Sequence, residues 1–145
     1  MKVAYKELLK NQVVVTAMNI AWLDSLPGVS GGHEEGGFIL RNVDRRIEIL
    51  RWITGVQNSI RVPPHPNCKI GESDILASFH THPNTGSNYL QEPSETDKRA
   101  VRHDPDLKGA FYVGEFIITN QLIYLIQPDG YVIEVGHRNK LLEGG

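Results

Sequence analysis

An α/β (α+β) fold, one mixed β-sheet flanked by helices, is the class the sequence predicts, on three observations. Short β-favouring runs alternate with helical patterns along the chain. One run, Ile75–Phe79, is apolar without polar alternation, as a central strand covered on both faces must be. Turn signals at Pro27–Gly32, Asn42–Arg45 and Pro128–Gly130 separate the elements. With 145 residues and 16.2 kDa, the chain is expected to form a single domain spanning 1–145.

Each element follows from its local pattern. Leu8–Val15 ends in three valines and reads as a short strand, and Ala17–Leu26 reads as a helix that Pro27 stops. Gly37–Leu40 and Arg46–Ile53 read as a hairpin across the polar Asn42–Arg45 turn. Gly55–Asp74, with Pro63, Pro64 and Pro66, is a long surface connection of the kind that carries binding function. The Ile75–Phe79 strand leads into His80-Thr81-His82-Pro83, Asn84–Glu92 is a loop, and Pro93–Arg102 is a helix. Tyr112–Val135 supplies the remaining strands, broken at Asn120 and at Pro128–Gly130.

Composition removes several function classes. Fifteen Lys and Arg against seventeen Asp and Glu give a net charge of −2, without the basic stripe that nucleic acid requires, so no nucleic-acid partner is expected. A lone cysteine, Cys68, cannot form an internal disulfide, which suits a reducing compartment. The charged start and the interruption of the apolar Val13–Leu23 run by Thr16 and Asn19 argue against a secretory leader or a membrane span. A cytoplasmic protein that does not engage membranes is the expectation.

The chemistry-bearing residues fall into three groups. Alternate residues of a strand share a face, so His80 and His82 project together while Thr81 faces away, aiming two imidazoles at one point. An H-x-H pair alone arises by chance in about one chain in four of this composition. It gains weight from Pro93-Ser94-Glu95-Thr96-Asp97, where Ser94 reads as a helix N-cap and Asp97, three residues on, as its capping-box partner. Placed over the end of the His strand, this helix start would add a carboxylate to the two imidazoles. Three protein ligands then leave a fourth position open for water, as hydrolytic zinc sites require. Upstream, Glu34-Glu35-Gly36-Gly37 puts acidic side chains at a strand entrance, with two glycines that permit close backbone approach.

Together these residues resemble the signature of the JAMM metalloproteases, also called JAB or MPN-plus: Glu34 with Gly37 three later, then His80-Thr81-His82-Pro83, then Ser94-Glu95-Thr96-Asp97. The resemblance extends from about Val13 to Val135 and implies a JAB/MPN-like, cytidine-deaminase-like sandwich. It also implies that His80, His82 and Asp97 hold Zn2+, that Glu34 is the general base and that Ser94 supports the oxyanion. Members of the family hydrolyse isopeptide or peptide bonds at the C-terminal tail of ubiquitin-like proteins, and bacterial single-domain members are linked to ubiquitin-like or sulfur-carrier proteins. A ubiquitin-like or sulfur-carrier-like protein substrate is therefore the implied partner. Two competing implications are a metal-free interaction scaffold of the same fold, whose mark would be a missing ligand, and a peptidase acting on cell-wall or phage-tail peptides.

Two features depart from the family pattern. Fourteen residues separate His82 from Asp97, four more than is usual, so the Asn84–Glu92 loop is extended; the ligands converge if the extra length bulges outward. Glu35 neighbours Glu34, and because adjacent strand residues face opposite ways only one can meet the metal; the spacing to Gly37 selects Glu34. Tyr89 and Leu90 place apolar surface in the extended loop and are read as substrate-binding. His65 and Cys68, spaced H-x-x-C, and the histidines His33 and His103 stay outside the ligand set, as does the terminal Glu143-Gly144-Gly145.

Overall fold

A computed structural model describes residues 3–143, so Gly144 and Gly145 lie outside the described residues. The chain begins with two helices, α1 (Tyr5–Leu8) and α2 (Gln12–Asp24), followed by the hairpin β1 (Gly36–Arg41) and β2 (Ile47–Arg51). A short β3 (Lys69–Ile70) precedes the nine-residue β4 (Ser73–Thr81), and α3 (Glu95–Arg102) follows the extended loop. Strands β5 (Glu115–Ile118), β6 (Leu122–Ile126) and β7 (Val132–His137) and helix α4 (Arg138–Leu142) complete the chain. The sheet runs β2-β1-β4-β5-β6-β7, with β3 pairing on β4. Only β4 and β5 pair in parallel, so the sheet is mixed, as the sequence predicts.

Strand periodicity divides the core in two. On one face Ile39, Ala77, Phe79, Phe116 and Ile118 pack against Leu8, Val14, Met18, Trp22 and Leu142 from α1, α2 and α4. On the other, Phe38, Ile75, Ile117 and Ile126 pack with Trp52, Tyr112 and Val101 of α3. Helices cover both faces, and β4 is buried from Ile75 to Thr81, which accounts for its unbroken apolar run. No helix among the described residues is long and apolar enough to cross a membrane.

The N-terminal strand predicted over Leu8–Val15 is instead helical, and the helix predicted over Ala17–Leu26 runs from Gln12 to Asp24. Asn11 explains the reversal: its side chain accepts the N–H groups of Val13 (2.9 Å) and Val14 (3.3 Å), capping a helix that begins inside the valine run. The buried stripe is Val14, Met18, Ala21 and Trp22, at helical spacing, while Ile20 and Leu23 face outward. Burial of this stripe outweighs the small helix penalty of β-branched valine. In the long connection, His65 Nε2 lies 2.6 Å from Asp104 Oδ2 while the Cys68 thiol donates to the Ile75 carbonyl, so the H-x-x-C pair serves loop packing.

Asn11→Ala should destabilise the protein by about 1 kcal/mol in denaturant unfolding, because it removes the α2 cap. An unchanged midpoint would count against helix initiation at this residue.

Candidate functional site

Backbone register places the side chains. Gly36 pairs with His80 across β1 and β4. One residue on, the Thr81 N–H donates to the Glu35 carbonyl at 2.9 Å, which sets Glu35 opposite Thr81 and Glu34 opposite His82. Cross-strand partners share a face, so Glu34, His80 and His82 lie on one side of the sheet and Glu35 on the other. The two glycines are required by this close packing: a Cβ on Gly36 would meet the Phe79 carbonyl at 2.5 Å and the Trp52 ring at 2.6 Å, and one on Gly37 the Leu50 carbonyl at 2.8 Å.

The third donor comes from α3. Ser94 caps this helix with a reciprocal box: its Oγ accepts the Asp97 N–H (3.0 Å), and Asp97 Oδ2 accepts the Ser94 N–H (2.9 Å). The same carboxylate faces both imidazoles, with Oδ1 3.3 Å from His80 Nε2 and Oδ2 3.2 Å from His82 Nε2. One donor atom from each of the three residues lies within 4.8 Å of the others, so the cluster can hold a metal ion.

The far sides of both rings are occupied. His82 Nδ1 donates to the Gln91 carbonyl at 2.9 Å, and His80 Nδ1 to Glu115 Oε2 at 2.6 Å. The hydrogen on each Nδ1 leaves Nε2 as the nitrogen that faces Asp97, and release of a proton from Nε2 to an incoming ion would give the tautomer that metal ligation needs. This donor set, two imidazole nitrogens and one carboxylate with outer hydrogen bonds in place, fits a divalent transition metal.

The electrostatics are those of a buried charged cluster. Burial opposes protonation of His80, but the Glu115 and Asp97 carboxylates outweigh it and hold its pKa well above the ordinary imidazole value. Burial likewise opposes ionisation of Asp97, yet hydrogen bonds and charge from the two histidines keep its carboxyl well below the usual range. At Glu34 burial prevails over the attraction of His80 and His82, with Asp97 and Glu115 adding repulsion, and the pKa is raised.

The two glutamates part company in their partners. Glu35 is 4% exposed, and its carboxylate is held by Arg51 (2.7 Å), Thr54 (2.8 Å) and His33 (2.8 Å). Glu34 is 7% exposed and has no side-chain hydrogen bond from a described residue. It lines a cavity of about 320 Å³ with His82, Ser94, Asp97, Tyr89 and Leu90. The remaining wall includes Gln57, Asn58 and Asn84. The extended loop does not swing clear of the site: Thr85 and Gly86 N–H groups donate to the Gly28 and Val29 carbonyls, and its Tyr89 and Leu90 face the cavity.

No family model, curated protein or solved structure matches the chain. The site's chemistry therefore rests on this geometry. All seven residues the sequence singled out gather here, and Glu115, which sequence reasoning passed over, joins them. Its signal was a charged residue opening the otherwise apolar Phe116–Ile118 strand, a place where a carboxylate needs a buried partner.

Glu35→Gln should cost about 2 kcal/mol in unfolding experiments, through loss of its charged hydrogen bonds. Glu34→Gln should cost less than about 0.5 kcal/mol, since it removes a buried charge with no hydrogen-bond donor. Equal losses would contradict the division of labour between the two.

Proposed function

We propose that this protein is a Zn2+-dependent metallopeptidase or isopeptidase of the JAMM type, hydrolysing a bond at the C-terminal tail of a ubiquitin-like or sulfur-carrier-like protein. The observation that carries the reading is the convergence of His80, His82 and Asp97 beside an unengaged, buried Glu34 on the wall of one cavity. None of the four positions is lost, as a metal-free scaffold would lead one to expect.

In this reading His80 Nε2, His82 Nε2 and Asp97 hold the ion. When bound, zinc supplies Lewis acidity, which acidifies water and polarises a carbonyl. Glu34 takes up a proton at its carboxylate as water attacks the scissile carbonyl, and hands that proton to the departing amine. Its buried place on the cavity wall, without a hydrogen-bond donor from a described residue, leaves the carboxylate free to take up and release that proton. Ser94 Oγ accepts the Asp97 N–H, so its own hydrogen is free to donate into the cavity toward a developing oxyanion. Tyr89 and Leu90 offer apolar contact to an extended tail, and the amides of Gln57 and Asn58 can pair with its backbone. A reducing compartment such as the cytoplasm suits the free, buried Cys68.

The test is cleavage of ubiquitin-like fusion substrates, paired with elemental analysis of the purified protein. Cleavage should stop on chelation and return with Zn2+. Glu34→Gln should retain the metal and lose at least about 10²-fold in kcat, the scale of general-base catalysis. An active Glu34→Gln beside a dead Glu35→Gln would reverse the assignment.

Replacing Tyr89 and Leu90 together by alanine should raise KM for a tail peptide about tenfold while leaving kcat within about twofold, as loss of one or two apolar contacts implies. Unchanged KM would remove the extended loop from substrate binding.

A further inference from the structure

Behind His80 lies a polar chain that the mechanism above does not use. Ser78 and Glu115 are neighbours in the parallel register of β4 and β5, and Ser78 Oγ donates to Glu115 Oε1 at 2.7 Å. Tyr112 Oη lies 2.6 Å from Ser78 Oγ. A serine hydroxyl has one hydrogen, and here it goes to the carboxylate, so Tyr112 must be the donor to Ser78. The direction is thus fixed from end to end: Tyr112 O–H to Ser78, Ser78 O–H to Glu115 Oε1, and His80 Nδ1–H to Glu115 Oε2 at 2.6 Å. All four side chains are buried, with Ser78 fully so.

A carboxylate in such a place needs compensating charge. Among the described residues, the only ion-pair partner of Glu115 is His80, and no lysine or arginine reaches it. Two hydrogen bonds alone would leave a buried anion beside a second one, Asp97. His80 lies between the two carboxylates, so the balancing positive charge falls on its ring, as an imidazolium or as the ligand of a divalent cation that would sit on its Nε2 side.

We propose that Glu115, aligned by Ser78 and Tyr112, is a positioning residue for the metal centre, orienting His80 with its hydrogen on Nδ1 and raising the donor strength of Nε2 through its negative charge. The inference rests on the metal-site reading of His80, His82 and Asp97. It makes the two imidazoles unequal ligands: His82 has a neutral carbonyl behind it, that of Gln91, whereas His80 has an anion. The carbonyl fixes a tautomer, and the carboxylate fixes the tautomer and adds charge.

The experiment titrates metal-free protein with Zn2+ against a chromophoric chelator and records the visible spectrum of the Co2+-substituted form. Wild type should bind one equivalent. Glu115→Gln, which keeps an acceptor but loses the charge, should weaken Zn2+ binding about tenfold, and Glu115→Ala, which loses both, about 100-fold. Ser78→Ala and Tyr112→Phe, milder changes, should weaken it in the same direction and shift the Co2+ bands although all three metal-binding side chains remain. Glu95→Gln, on the exposed side of α3, should leave both readouts unchanged.

Folded Glu115→Gln with wild-type affinity and an unchanged Co2+ spectrum would overturn the proposal while the metal site stands. If Glu115→Gln does not fold, wild-type affinity and spectra in both Ser78→Ala and Tyr112→Phe would overturn it equally. Failure of the wild-type chain to take up either ion would instead overturn the metal-site reading itself.

Discussion

Pairing of Gly36 with His80 decides which of the two neighbouring glutamates meets the histidines. From that one contact, alternation along β1 carries Glu34 to the face of the two histidines and sends Glu35 away to Arg51 and Thr54. A slip of one residue would exchange the glutamates, presenting a carboxylate built for an arginine to the imidazoles. Glycine at positions 36 and 37 holds the register, since any side chain there would collide with backbone atoms of β4 or β2 and with the Trp52 ring. Close strand approach and the sorting of acidic side chains are therefore one constraint.

The α3 terminus shows the same economy. Asp97 is at once the N3 partner of Ser94 and the oxygen donor facing His80 and His82. Its Oδ2 accepts the Ser94 N–H, which fixes its rotamer, and the first turn of a helix favours a negative charge. A capping box and a ligand are often weighed as rival explanations of an S-x-x-D motif. Here one geometry permits both, because capping uses one lone pair of the carboxylate and leaves the rest directed at the nitrogens.

Much of this was legible in the sequence, and the exceptions have physical causes. The hairpin, the buried central strand, the α3 cap and the shared face of His80 and His82 follow from alternation, turn residues and capping chemistry that act within a few residues. The Leu8–Val15 segment misleads because valine's strand preference is worth only tenths of a kcal/mol, less than the Asn11 cap and the burial of Val14, Met18, Ala21 and Trp22 on the sheet. That burial depends on a surface made by strands far along the chain. Glu115 escapes for a similar reason: its partner His80 is set beside it only by the parallel β4–β5 pairing, a contact no local pattern encodes.

The extended loop remains to be reconciled with an ordered site. Lengthening a loop by four residues costs a few tenths of a kcal/mol in closure entropy. Against this, Thr85 and Gly86 form backbone hydrogen bonds to Gly28 and Val29, and Asn84 clamps the base of the loop through Gly32 and the Gln57 carbonyl. Each such bond contributes about 1 kcal/mol and offsets part of the entropy of ordering the added residues. Gln91 closes its far end by donating to the Asn84 carbonyl while its own carbonyl accepts from His82. The orientation of His82 is thereby tied to the conformation of the loop that carries Tyr89 and Leu90. Half of Leu90 is exposed beside the cavity, apolar surface that a bound chain would cover. On the proposed reading, a tail lying along Tyr89 and Leu90 would also bear on the Nδ1–H bond of His82, linking the cavity wall to the histidine cluster through a single carbonyl.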